Sequence, residues 1–561
     1  DPYRNEYDYL KLLCDYAAQK GIGVHVWAWL GSYRTASDQA WFFGQLKEAG
    51  AVGIKFDFNN SESIDSMKLY NDTLLHAAAY QLMLNFHGMI KPAGESRTWP
   101  NEMTREGVIG LEWNLWDDIP PAHYATLPFT RLVAGHGDTT PCTLDPAYLR
   151  GTTYAFQIAT AILHHSPLLH WADQPDLYLA NDAVDMIRKI EPSWDETLVL
   201  DGSQIGTLAA MAKRKDNEWF AGIINGSQTS PVQYTLDLSF LDGGQYAAHI
   251  VKDDPANSPE LLVENSIVTA GQQLTVNMAA GGGFAANFSK LFMTPPGGWL
   301  VGSQAVLINS FYSDAEIRYT LDGSEPDTNS PLYVSSLNLD ESCLLRAAVI
   351  SGEGTGHQIK GWFTIIPPAG APADVYLCDL DWADASCGWQ TPRKKLSVEG
   401  HWLQVAGKTY SRGIGTHADS RIVYDLLPGY ARFTAAAGVD DEIPLDKASV
   451  VFCVEIDGVV MAQSPVIRHG TGQYWHFDVP IPGRSRQLTI ISNGTRDGIH
   501  SDHADWVDAG FVVGYDFDDL AAMAEYWLAI DCDTVDDCLG MDLDSSGNID
   551  LLDFEILSQN W

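Results

Sequence analysis

The sequence predicts a multidomain protein: a partial (β/α)8 barrel lacking its first strands, then several all-β sandwich modules, then a small helical calcium-binding tail. Three observations lead there. The chain has 561 residues, more than one core organises, and that length suits about three to five domains. Helical and strand patterns alternate over residues 1–193, as in βα units that build a parallel sheet. Beyond Pro192 the helical period gives way to short alternating strands, and the chain closes on an Asp-rich loop.

Within 1–193 the apolar spacing predicts helices over 9–19, 38–49, 62–80, 153–165 and 177–190, and strands over 23–30, 52–58, 82–86, 109–113 and 168–171. That is five or six strands rather than eight. A barrel whose first two βα units are missing explains the count. It also explains the abrupt opening at Asp1, directly before a helix and without a methionine, which reads as a fragment with its true N-terminus upstream. Residues 194–290 form an antiparallel β domain closing off the barrel. After a linker at 294–298 comes a small β module over 299–366, with a strand and turn at 317–326. The proline-stiffened linker 367–372 leads to a larger β-sandwich over 373–514 and the tail over 515–561.

The 34 basic and 73 acidic residues give a net charge of −39. This excludes nucleic acid as a partner, since phosphate binding needs clustered Lys and Arg. It also disfavours anionic membranes and suits calcium. Most of these acids are a solvated surface. No apolar stretch reaches the roughly 18–20 residues of a membrane span. The eight cysteines form no CxxC zinc pattern; Cys378/Cys387 and Cys532/Cys538 are expected as disulfides of an exported protein, and Cys14, Cys142, Cys343 and Cys453 as lone thiols.

Asp57 ends the apolar run 52–58. A carboxylate at the C-terminal end of a barrel strand points to the active-site face. Glu106 and Glu112 arrive from later segments, and two carboxyl groups facing one glycosidic bond are the minimum equipment for sugar hydrolysis. In the tail, oxygen-bearing residues fall at calcium-loop spacing: Asp542, Asp544, Ser546, Asp550 and Asp553, with Gly547 where the loop must turn. An earlier half-match, 516–527, has the helix without the full loop.

The stretches Gly53-Ile-Lys-Phe-Asp-Phe58, Asn85-Phe-His-Gly88, Lys91-Pro-Ala-Gly94, Arg97-Thr-Trp-Pro-Asn101, Thr104-Arg-Glu-Gly107 and Leu127-Pro-Phe-Thr-Arg131 closely resemble glycoside hydrolase family 97, in family order. The resemblance fades towards residue 290. It implies a choice between an inverting α-glucosidase branch and a retaining α-galactosidase branch. The inverting acid is a glutamate directly after the histidine of the Asn-x-His motif, where this chain has Gly88. The retaining nucleophile matches Asp57, so the resemblance implies the retaining branch, with Glu112 as acid/base and Glu106 as the competing assignment. It also implies an active-site Ca2+ held by glutamates matching Glu106 and Glu112, with a further ligand from an N-terminal β-sandwich that this chain lacks. Lys55, His87 and Lys91 lie in the motifs and are candidates to hydrogen-bond sugar hydroxyls, or else satisfy buried carboxylates or backbone. Among Trp27, Trp29, Trp113 and Trp171, one is a candidate to stack on a sugar, Trp171 being the one assigned to substrate; the others are read as core.

Residues 299–366 resemble the fibronectin-like domain at the C-terminus of chitobiase-type enzymes. The stretches 412–420 and 433–442 resemble the novel carbohydrate-binding module attached to glycosidases, which implies a glycan ligand. Within it, His417 and Trp389 are read as a turn-forming histidine and a core tryptophan. The tail resembles a dockerin, which implies a cohesin-like partner. Together the resemblances imply a secreted retaining α-galactosidase acting on α-galactosyl oligo- or polysaccharides. The alternatives are an α-glucosidase of the same family and a catalytically inactive glycan-binding protein.

Overall fold

The structure, a computed structural model, describes residues 6–559 apart from 60, 314, 352–353, 428, 444–447, 470–472, 484, 496–497, 515–516, 531, 533–537, 539–540 and 544–545. Asp516 and Asp544 therefore lie outside the described residues.

The chain opens with helix α1 (Glu6–Gln19), strand β1 (His25–Trp29), α2 (Ala36–Ala49), β2 (Gly53–Asp57), α3 (Ile64–Ala79), β3 (Met83–Phe86) and β4 (Glu102–Arg105). The four strands form one parallel sheet in the order β1-β2-β3-β4. Thr35 and Ser63 cap the N-termini of α2 and α3, and Gly50, left-handed at φ 90°, ends α2. In β2, Ile54 and Phe56 are wholly buried among Phe43, Leu46, Leu74 and Leu84. By the two-residue period of a strand, Lys55 and Asp57 take the opposite face.

Here the expected strand count needs correction. Residues 109–113 form no strand; a 3-10 turn spans Leu111–Leu115. Gly107 (φ +49°) lies so close to Lys91 that an added Cβ would sit 2.4 Å from the Lys91 nitrogen, and an added Cβ on Gly110 would sit 2.7 Å from the Thr139 carbonyl oxygen. These close crossings bend the chain out of an extended run. Residues 168–171 also lie outside any ladder. They follow Pro167, which has no N–H to give a ladder. Instead a buried irregular run, residues 137–144, gathers these pieces: Asp138 N–H donates to Arg105 O (3.2 Å), Leu111 N–H to Thr139 O (2.8 Å) and Ala172 N–H to Pro141 O (3.1 Å). The helix expected over 177–190 is two helices, Pro175–Ala180 and Val184–Lys189, parted where Asn181 Oδ1 accepts the Ala183 N–H.

After α4 (Pro121–Thr126), helix α5 (Tyr154–Leu163) is buried along its whole length. A helix apolar on every side belongs between layers. Its second layer is a six-stranded sheet, antiparallel at every ladder, built from Glu196–Val199, Leu208–Lys215, Glu218–Asn225, Gln245–Asp253, Leu261–Thr269 and Gly283–Ser289. The helix backbone meets that sheet at glycines: a Cβ on Gly283 would lie 2.4 Å from Phe156 Cα, and one on Gly222 would lie 3.1 Å from Ala159 O. Thr153 caps α5 and donates to Asp253 Oδ1 at 2.6 Å. At the other end the buried Lys213 ammonium donates to Leu163 O (3.1 Å), and burial lowers its pKa to about 7.

Two small sheets follow, Leu291–Thr294 with Gln304–Ser310 and Leu337–Leu339, and Gly298–Val301 with Gly354–Ile366, Cys343–Ser351 and Glu316–Thr320. The module thus begins at Leu291 rather than beyond a free linker. From Val375 to Val513, two six-stranded sheets close over a core centred on the wholly buried Trp506. In the tail, Phe517–Glu525 and Leu551–Gln559 are helical, and Cys532–Cys538 form a disulfide. The expected Cys378–Cys387 bridge is absent: Cys378 is a buried thiol, and the Cys387 thiol is turned onto the backbone, donating to Trp389 O (3.0 Å) and accepting the His417 N–H (3.2 Å). Among the described residues no helix is long and apolar enough to cross a membrane.

Gly283→Val forces the sheet away from α5. It is expected to lower the stability of this unit by about 1–3 kcal/mol, read as an earlier first transition in calorimetry.

Candidate active site

The four parallel strands bring one row of polar side chains to a common face. Trp27, Lys55, Asn85 and Thr104 are in register. Two residues further on, at or just past the C-terminal ends of β2, β3 and β4, stand Asp57, His87 and Glu106. Such strand ends are where parallel α/β sheets bind ligands.

Asp57 is buried. Its Oδ2 accepts the Trp27 Nε1–H at 3.0 Å and its Oδ1 accepts the Phe58 N–H at 2.7 Å. Trp27 and Phe58 meet edge to face at 6.2 Å and are each 58% exposed, so their outer surfaces stand open beside Asp57. Gly88 (φ +55°) fills the gap between Asp57 and Glu106. An added Cβ would fall 2.4 Å from Asp57 Oδ1, while the Gly88 N–H donates to Glu106 Oε2 at 2.5 Å.

His87 joins the remaining carboxylates. Its Nδ1–H donates to Asp138 Oδ2 (2.8 Å) and its Nε2–H to Glu112 Oε1 (2.6 Å), with Glu106 Oε1 at 3.7 Å. Burial alone would lower the pKa of His87, but those two hydrogen bonds outweigh it and raise the pKa to about 10. Both ring nitrogens then donate. Asp138 Oδ2 also receives Lys55 Nζ and Asn85 Nδ2, each at 3.0 Å. Burial pushes the Asp138 carboxyl up, yet His170, His87 and the Lys55 ammonium together hold it well below the usual carboxylate range. Glu106 goes the other way: burial raises it to about 7, against the pull of His87 and the Gly88 N–H.

The sequence-predicted residues Asp57, Glu106, Glu112, Lys55 and His87 are thus brought together. Lys91 is not: its side chain is exposed, and among the described residues no hydrogen bond or ion pair joins it to the cluster. Trp171 packs edge to face on Tyr178 at 5.3 Å, against the core around α5. Sequence reasoning missed Asp138, His170 and the role of Arg131. Arg131 donates to the carbonyls of Arg105 (2.9 Å), Glu106 (2.6 Å), Gly107 (3.0 Å), Gly135 (3.1 Å) and His136 (3.2 Å). It clamps the backbone that carries Glu106. The signal was present in the last residue of the 127–131 motif.

One donor atom each from His87, Glu106 and Glu112 lie within 4.8 Å of one another. The two carboxylates suit a hard, oxygen-seeking cation, whereas an imidazole with both N–H groups engaged does not. In the tail, Asp542 accepts the N–H groups of Ser546 (2.9 Å) and Gly547 (2.6 Å), and the buried Asp553 accepts those of Leu543 (2.6 Å) and Asp550 (2.8 Å). Gly547 turns the loop at φ +83°. The carboxylates of Asp542, Asp550 and Asp553 and the Ser546 hydroxyl belong to this one loop, an oxygen donor set that fits Ca2+. In the large sandwich, Trp389 is no core residue. It is partly exposed and stacks on His503 at 5.5 Å, with His417, at the end of the strand Gly413–His417, 5.6 Å away.

Comparison with known families gives four matches: glycoside hydrolase 97 over residues 3–108, the glycosyl-hydrolase 97 C-terminal oligomerisation domain over 193–289, the chitobiase/beta-hexosaminidase C-terminal domain over 295–360, and the NPCBM/NEW2 domain over 373–512. Glu106 falls inside the first segment and Glu112 just beyond it. A Streptomyces bingchenggensis protein named "Probable retaining alpha-galactosidase" is 32% identical over 51% of this chain, and the "Retaining alpha-galactosidase" of Bacteroides thetaiotaomicron is 31% identical over 49%. The chain spans 44% of the length of each. A solved glycoside hydrolase family 97 enzyme from Pseudoalteromonas sp. strain K8, in complex with acarbose, aligns at 28% identity over 50% of this chain and 48% of that one, with a TM-score of 0.46.

Two substitutions follow from the geometry. Gly88→Ala displaces the Asp57 carboxylate and is expected to reduce about a hundredfold or more whatever reaction that carboxylate carries, with little change in the thermal transitions of the β modules. Arg131→Lys leaves several of the five carbonyls without a donor and is expected to cost about 1–3 kcal/mol, read by thermal unfolding.

Proposed function

We propose that this chain carries the catalytic carboxylates of a retaining α-galactosidase acting on α-galactosyl oligo- or polysaccharides, and that β1–β4 are an arc of its (β/α)8 barrel. The observation that carries the reading is the contact of Gly88 with Asp57. A side chain at position 88, where an inverting enzyme would need its glutamate, has no room beside the Asp57 carboxylate.

In this reading Asp57 is the nucleophile. It forms a bond to the anomeric carbon as the glycosidic C–O bond breaks, and the electron pair leaves on the departing oxygen. Glu112 supplies the proton to that oxygen, then takes one from the water that releases the sugar. His87 occupies Glu112 Oε1, which leaves Oε2 for the proton in flight. The raised pKa of Glu106 supports the competing assignment of that residue as the donor, so both are tested. The exposed Trp27 and Phe58 offer the apolar wall for the sugar, and Lys55 and His87 lie behind it. Glu106 and Glu112 would hold the active-site Ca2+, which when bound supplies positive charge beside the substrate and keeps a ligating carboxyl ionised, so Glu112 would join the ion only when it carries no proton.

The sandwich over 373–514 is proposed to hold a glycan on the face formed by Trp389, His417 and His503. The tail is proposed to bind Ca2+ through Asp542, Asp544, Ser546, Asp550 and Asp553, and to present its helices to a cohesin-like partner. The Cys532–Cys538 disulfide supports work outside the cytoplasm.

The test is hydrolysis of 4-nitrophenyl α-galactoside and α-glucoside with Ca2+ present, with NMR detection of the first-formed sugar. The expected result is α-galactose, reduced about a thousandfold or more by Asp57→Asn. First-formed β-sugar overturns retention, and preference for the glucoside moves the chain to the α-glucosidase reading. Glu112→Gln should cost more on this reaction than Glu106→Gln. For the tail, calorimetric titration should show a Ca2+ site in the wild type that Asp553→Asn weakens at least about tenfold.

A further inference from the structure

We propose that Asp138 is a positioning residue which, with Thr139 and Thr140, aims the acid/base Glu112 at the scissile bond. The inference rests on the retaining-glycosidase reading above.

Glu112 sits on a 3-10 turn rather than on a strand, and its side chain is 24% exposed. Nothing in the sheet fixes it. Residues 138–140 do so at three points. Thr139 O accepts the N–H of Leu111 at 2.8 Å, and Thr140 Oγ1 accepts the N–H of Glu112 itself at 3.1 Å. The third point is the carboxylate: Asp138 Oδ2 holds His87 Nδ1–H at 2.8 Å, and the opposite ring nitrogen donates to Glu112 Oε1 at 2.6 Å. A histidine whose far nitrogen is fixed by a carboxylate presents its near N–H in one direction.

Asp138 is itself held on several sides. It is buried, its N–H is tied to Arg105 O, and Lys55 and Asn85 close on the same Oδ2 that binds His87. Arg105 O is also held by Arg131. The placement of Glu112 is therefore referred back to the end of β4 through two rigid links.

A general acid matters most when the leaving group is a poor one. The experiment compares Asp138→Asn with wild type on 2,4-dinitrophenyl α-galactoside, whose leaving group needs no proton, and on an α-galactosyl disaccharide. The expected result is a loss in kcat/KM of about 30-fold or more on the disaccharide and about threefold or less on the dinitrophenyl substrate, where kcat and KM fall together because Glu112 is also the base of the second step. Thr140→Ala should show the same split, and Thr140→Ser should restore wild-type behaviour. These two keep the test open where Asp138→Asn does not fold. An equal loss on both substrates, or no loss in any variant, overturns the inference while leaving the glycosidase reading intact. If the wild type cleaves neither substrate, the glycosidase reading fails and this one fails with it.

Discussion

A glycine with no space for a side chain sets the geometry of the whole site. Gly88 follows β3 in a left-handed conformation, its α-carbon against Asp57 and its N–H on Glu106. Any other residue would have to move one carboxylate or bend the strand end, and left-handed backbone already disfavours side chains other than those of Gly, Asn and Asp. The separation of the two acids is therefore built into the backbone. The indole of Trp27 on one side and the Arg131 clamp on the other then keep each acid from turning away.

The second constraint is charge. Asp57, Glu106, Glu112 and Asp138 gather at the same strand ends as two cationic side chains, Lys55 and a doubly hydrogen-bonded His87. An ion buried without a partner costs several kcal/mol even after relaxation. The site meets that cost unevenly. Asp138 takes three donors on one oxygen and stays ionised, whereas Glu106 receives a backbone N–H and a more distant imidazole and burial raises it to about 7. The excess of carboxylates over cations is greatest at Glu106 and Glu112, and there a divalent cation would have most to gain.

Much of this was legible in the sequence. The buried strand before Asp57, the capped helices around it and the His87-Gly88 pair are all local signals, because a strand buried against helices needs an unbroken apolar run and a cap needs a short polar side chain. The rest was not local. Residues 109–113 alternate like a strand, yet close backbone crossings at Gly107 and Gly110 decide their path. Asp138 lies in a run of Gly, Asp, Thr and Pro that has no period at all. Its importance comes from Lys55, Asn85 and His87, all more than fifty residues upstream. Trp389 carried the opposite error: an isolated tryptophan in a β-rich stretch reads as core, but its ring lies partly open against two histidines.

The most direct test of Asp57 as the attacking group is to trap it. The protein would be incubated with 5-fluoro-α-D-galactosyl fluoride, digested, and mapped by mass spectrometry. A fluorogalactosyl adduct on the peptide that contains Asp57, and on its carboxylate in the fragment spectrum, is the result this account predicts. An adduct on Glu106 or Glu112, or turnover of the reagent without any adduct where slower substrates are cleaved with retention, would contradict it.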